Sequence, residues 1–186
     1  MTTTLLVPTY QHMLQTLSGL LDKAQQQMPD RAEALLAARL APDMFPLAAQ
    51  VRFAAFQAQE AVFRLRGERV AEWLDAIAAE GRNAGDAPGT IADAKERIDA
   101  ALSFLANVSS GALDASTTLP IAIKLPGGMT FDMTGEQYAR DWALPQFYFH
   151  VITAYAILRN RGVEIGKADY VPHMFAYLRP EAVAAS

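Results

Sequence analysis

Apolar residues recur at helical spacing through most of the chain and switch to strict alternation in one place. Between Thr9 and Met28, the positions Tyr10, Leu14, Leu17, Leu21, Ala24 and Met28 advance in steps of four and three. That pattern predicts an amphipathic helix with one buried stripe. Pro29 and Asp30 end it, and Asp30 is placed to cap a short helix over Arg31–Arg39. Leu40 to Pro46 carries two prolines and reads as a loop. A second long helix begins near Pro46, since proline suits the first helical turn. Val51, Ala54, Ala55, Ala58, Val62 and Leu65 give it a face of small residues, while Phe53, Phe56 and Phe63 form a second apolar face roughly opposite. Such a helix must be covered on two sides, by the rest of a bundle or by another subunit.

Within Gly67–Gly89, the residues Val70, Trp73, Leu74 and Ile77 either extend the second helix or form a short separate one, and Gly81–Gly89 reads as a surface loop. Thr90 with Asp93 resembles a capping box for a third long helix, whose stripe is Ile91, Ala94, Ile98, Ala101, Leu102, Leu105 and Val108. After Ser109 the period becomes two. Leu119, Ile121, Ile123 and Leu125 alternate with Ala122 and Lys124; Pro126-Gly127-Gly128 turns the chain; Met129, Phe131 and Met133 alternate beyond it. A hairpin follows. Thr134 with Gln137 caps a fourth long helix, which Pro145 should kink and Gly162 should end. The expected fold is all-α: a four-helix bundle with a small β-hairpin inserted before the last long helix. It forms one domain over residues 1–179, with a frayed tail at 180–186.

Composition narrows the function classes. With 52% hydrophobic and 19% charged residues among 186, the chain has the material for a single core and not for disorder. Cysteine is absent, which removes disulfides, thiolate metal sites and cysteine nucleophiles together. A formal charge of −4 disfavours a nucleic-acid footprint. No Lys or Arg precedes Lys23, so the basic n-region of a secretory signal is not expected. The longest apolar stretch, 143–158, is interrupted by Gln146, His150 and Thr153, short of the ~18 residues that mark a spanning helix. The expectation is a cytoplasmic protein with no membrane and no nucleic-acid partner.

Candidate chemistry concentrates in Ala143–Arg159, ALPQFYFHVITAYAILR. Of the three histidines, His12 lies opposite the first helix's stripe and His173 follows Pro172; both read as surface residues. His150 sits among apolar neighbours and needs a polar partner for its ring nitrogens. A metal site would want a second ligand one turn on, at position 154, and that residue is alanine. The second helix offers Gln50, Gln57 and Glu60, of which glutamine is a poor transition-metal ligand. His150 is therefore the candidate catalytic group, and Tyr148, His150, Tyr155, Gln57 and Glu60 are the candidate pocket residues. No complete metal site is expected. The chain also lacks a GxSxG elbow, a GxxxxGK[ST] phosphate loop and an HExxH pair.

The run Ala143–Val171, ALPQFYFHVITAYAILRNRGVEIGKADYV, resembles the C-terminal signature of a bacterial family of unknown function in the DinB/YfiT-like superfamily of predicted metalloenzymes. Leu36–Val51, LAARLAPDMFPLAAQV, resembles a second block of that family. The resemblance implies a DinB-like four-helix bundle, often dimeric. It also implies a metal held by one histidine of the second helix and an HxxxH pair on the last. Here His150 matches the first of that pair, Ala154 stands at the second, and the second helix has no histidine. The leading reading is a DinB-like bundle that lacks the usual histidine triad, forms a homodimer and binds a small molecule or a partner. One alternative is a transferase or hydrolase using His150 as a base or in an altered metal site. The other is a purely structural homodimer.

Overall fold

Pro8 lies inside the first helix, not ahead of it. In the computed structural model, which describes residues 2–179, helix α1 spans Thr2–Gln27 and starts seven residues before the expected Thr9. The tail expected to fray lies outside the described residues. Pro8 deletes one intrahelical hydrogen bond. Burial of Leu6 and Tyr10 offsets that loss, as do two anchors at Thr3. The Thr3 N–H donates to Asp114 Oδ1 at 2.9 Å, and Thr3 Oγ1 accepts from the Leu113 N–H at 2.8 Å. These bonds cross more than a hundred residues of sequence, so no local pattern announces them.

The helix expected over Arg31–Arg39 is a 3-10 turn, Glu33–Ala37, preceded by Ala32 with no side-chain cap; Asp30 does not cap it. Helix α2, Leu47–Leu65, starts directly after Pro46. Its small-residue face is buried against the bundle. Its aromatic face is covered by a separate helix α3, Glu72–Asn83, and by α4, Ile91–Ala106. Phe63 packs against Trp73 of α3 at 6.2 Å and Phe104 of α4 at 5.4 Å between ring centroids. Gly81 crosses Phe53 so closely that a Cβ there would lie 2.6 Å from the ring. The second face of α2 is thus partly covered from within the chain, with Phe53, Phe56 and Phe63 half-buried. Helix α3 also takes in Gly81, Arg82 and Asn83, which the sequence places in a loop. Thr90 and Asp93 form the capping box of α4, each side chain accepting the other's backbone N–H.

Strands β1, Pro120–Lys124, and β2, Thr130–Thr134, pair antiparallel with Ile121 opposite Met133 and Ile123 opposite Phe131. Ile121 and Ile123 are buried, whereas Met129 and Phe131 are exposed, so the first strand carries the inward face of the hairpin. The Thr134–Gln137 capping box then starts a continuous helical run: the single turn α5, Gly135–Gln137, a π-helical stretch Tyr138–Ala143, and α6, Leu144–Asn160. The π stretch stands ahead of the kink expected at Pro145. The Leu144 N–H reaches back five residues to the Ala139 carbonyl, and Pro145 follows in the first turn of α6, where its missing donor costs little. Gly162, at φ +92°, closes α6, with Val163 N–H donating to Leu158 O and Gly162 N–H to Arg159 O. The short helix α7, Lys167–Tyr170, returns to α1, held there by the Lys23–Asp169 ion pair. The four long helices α1, α2, α4 and α6 make up the bundle. No helix of the described residues is long and apolar enough to cross a membrane.

Candidate functional site

His150 faces α2, where it meets Gln50 at a separation of one hundred residues. Its Nδ1 lies 2.8 Å from Gln50 Oε1. The buried Gln50 amide has a fixed orientation, because its Nε2 donates to the Phe45 carbonyl at 3.1 Å and its oxygen must then face the imidazole. The Nδ1 therefore carries the proton and donates. Nε2 is left as a lone-pair acceptor with no hydrogen bond among the described residues. Aromatic rings frame the imidazole, with Phe53 at 5.1 Å and Phe149 at 5.5 Å between centroids.

This apolar setting pushes the His150 pKa down to about 4, because burial penalises the charged form. The group is neutral at physiological pH. An unfolded histidine titrates near 6.5. Between those values the unfolded chain binds a proton that the folded chain refuses, so this contribution to stability is intact above about pH 6.5 and is lost as pH falls toward 4. His150 retains some solvent access, which trims the loss to about 1–3 kcal/mol. The stability difference between wild type and His150→Gln, from urea curves, should change by that amount between pH 7 and pH 4. A side-chain NMR titration of His150 with a midpoint near 6.5 would contradict this assignment.

The imidazole opens into a pocket of about 300 Å³ lined by Phe45, Phe53, Phe56, Gln57, Ala78, Arg82 and His150. The Gln57 side chain lines the pocket, and its Oε1 is buried without a hydrogen-bond partner among the described residues. Of the five residues singled out from the sequence, His150 and Gln57 meet in this pocket and the other three do not. Tyr148 and Tyr155 belong to the side of α6 that faces α7, where Tyr155 packs against Tyr170 at 5.7 Å. Tyr148 is partly exposed, with its hydroxyl pKa raised by burial. Glu60 is buried further along α2 and accepts from Arg64 Nε at 2.8 Å. Its charge adds to desolvation in raising the pKa of Tyr10 and Tyr138, both fully buried. That buried polar cluster is distinct from the His150 pocket. The sequence pattern does not assign the remaining residues to a pocket: Phe45 and Arg82 fall in expected loops, and Phe53 and Phe56 in an apolar face expected to meet the bundle or another subunit. The spacing Ala78–Arg82, one helical turn, is the signal that would have put them on one face.

A metal of the kind the resemblance implies does not fit these residues. The His150 Nδ1 is engaged as a donor to Gln50, and Ala154, one turn on, is fully buried and offers no ligand. The residue of α2 opposite the imidazole is Gln50, whose oxygen is already in use and whose chemistry suits transition metals poorly. Among the described residues, no three His, Asp or Glu side chains stand close enough to share an ion.

A search of curated proteins finds no match. Among solved structures, the fold is similar to a DinB family member protein from Shewanella denitrificans, at 32% identity and a TM-score of 0.73, covering 91% of this chain and 90% of that one. The sequence also matches the family described as "Domain of unknown function (DUF1993)" over residues 3–171. That span runs from the Thr3 anchor through the four long helices and the hairpin to the end of α7, and the chain belongs to this DinB-like family of unknown function.

Proposed function

We propose that the chain binds a small molecule in the pocket beneath His150, and does so without a transition metal. The observation that carries this reading is His150 Nε2, fixed as an acceptor by the Gln50 bond and without a protein partner among the described residues, in an aromatic-walled pocket. A ligand that donates to Nε2 there gains a hydrogen bond in an apolar setting, where it is worth more than in water. Ala78 is buried on the α3 wall, so Ala78→Leu fills the pocket while leaving the His150–Gln50 pair unaltered. Small aromatic compounds should shift the His150 side-chain NMR signals in wild type and not in Ala78→Leu. Equal shifts in both proteins would sink the reading. Elemental analysis of untagged protein should give well under one zinc, nickel or iron per chain, and a stoichiometric metal would overturn the metal-free half of the proposal.

The same chemistry disfavours the transferase or hydrolase alternative. A general base works best with a pKa near the operating pH, and a group near 4 is a weak base at pH 7. His150 is better suited to accepting a hydrogen bond than to removing a proton. The homodimer reading rests on the exposed Tyr148, Phe149 and Ile152 of α6. The aromatic face of α2 supports it less, because α3 and α4 partly cover that face.

A further inference from the structure

We propose that the ligand of the His150 pocket is an apolar carboxylate that carries one N–H or O–H donor. The inference rests on the pocket reading above and adds the chemical class. Phe45, Phe53 and Phe56 supply flat apolar walls, and a volume of about 300 Å³ suits one ring system with a short side chain. Arg82 is the single charged side chain in the lining, and it makes no ion pair among the described residues. Unlike Arg97, which forks onto Glu80, or Arg64, which binds Glu60, Arg82 has no carboxylate of the chain competing for its guanidinium. A guanidinium at the rim of an apolar pocket selects a carboxylate, which it can hold through two parallel N–H···O bonds, and repels an amine.

At His150 the polarity is fixed by the protein's own bonding. Gln50 is held by the Phe45 carbonyl and in turn holds the proton of His150 on Nδ1, so Nε2 can only accept. A ligand with only acceptors or only hydrocarbon beside the imidazole would leave Nε2 unpaired. One with an indole N–H or a phenol O–H would satisfy it. The complement of the site is thus an aromatic or aliphatic body that carries a donor for Nε2 and a carboxylate for Arg82.

The test is a titration followed by NMR of the His150 ring and by calorimetry. The probes are indole-3-acetate and 4-hydroxyphenylacetate, their neutral counterparts 3-methylindole and 4-ethylphenol, and the amines tryptamine and tyramine. The carboxylates should bind about tenfold more tightly than the neutral probes, and more tightly still than the amines. Arg82→Met should remove that advantage while leaving neutral binding within twofold; Arg82 is exposed, so the variant should fold normally. Neutral probes binding as tightly as carboxylates, or amines binding best, would overturn the carboxylate inference and leave the pocket reading standing. No shift of the His150 ring with any probe would overturn both.

Discussion

Phe147→Ala should destabilise the protein by about 3–5 kcal/mol, the largest loss expected from a single truncation in α6. Phe147 is fully buried and meets Tyr10 of α1 edge-on, with ring centroids 4.7 Å apart and planes at 68°. Removing the ring leaves a cavity at the seam between α1 and α6, and it deprives Tyr10 of its aromatic neighbour. Urea denaturation should show a lower midpoint with an unchanged slope. Phe147→Leu, which keeps most of the volume, should cost about 1–2 kcal/mol and serves if the alanine variant does not fold. A loss below about 1 kcal/mol for Phe147→Ala would mean that the seam collapses freely or is not packed as described. Tyr10→Phe isolates the hydroxyl. That group is buried with no partner among the described residues, so its removal should be neutral or stabilising.

Gly135→Ala should cost about 2–4 kcal/mol, although alanine is the better helix former. Gly135 has ordinary helical φ, so backbone conformation does not demand glycine there. Space does. A Cβ at this position would lie 2.0 Å from the Ser116 carbonyl oxygen and 2.9 Å from its carbon. That carbonyl already accepts the Leu119 N–H at 2.9 Å within the turn leading to β1, and Ser116 Oγ donates to Leu113 O. The backbone cannot retreat without loosening the same segment that anchors Thr3 of α1. Gly19→Ala is the control: nothing lies within 4 Å of a Cβ at Gly19 in the middle of α1. It should stabilise by up to about 1 kcal/mol. If both substitutions behave alike, the contact at Gly135 is not what the geometry implies.

The legible features of the chain are those whose cause lies within a turn or two of their effect. The stripes of α1, α2 and α4 follow from side-chain periodicity. The capping boxes at Thr90 and Thr134 each need two residues three apart, and both are present in the structure. Gly162 takes the positive φ that ends α6, and the period-two run from Leu119 folds as the inner strand of the hairpin. The misread features have distant causes. Thr2–Val7 is helical because Leu113 and Asp114 hold Thr3. The π stretch before Pro145 was invisible because a five-residue hydrogen bond leaves no mark on hydrophobic spacing.

The candidate site divides in the same way. Sequence alone identifies His150 as the histidine that needs a partner, and it establishes that no HxxxH pair exists on this helix, since both facts rest on residues within a turn or two. It could not say which residue the imidazole meets. Only the antiparallel packing of α6 on α2 brings Gln50 to Nδ1, and the Phe45 carbonyl then decides the tautomer. The same packing separates Glu60 and Tyr155 from the pocket and brings Arg82 in from α3. Local pattern determines which face of each helix is buried, because that depends on one periodicity. Which side chains share a site depends on how separate helices are rotated and offset against one another, and for this protein that was decided by the tertiary structure.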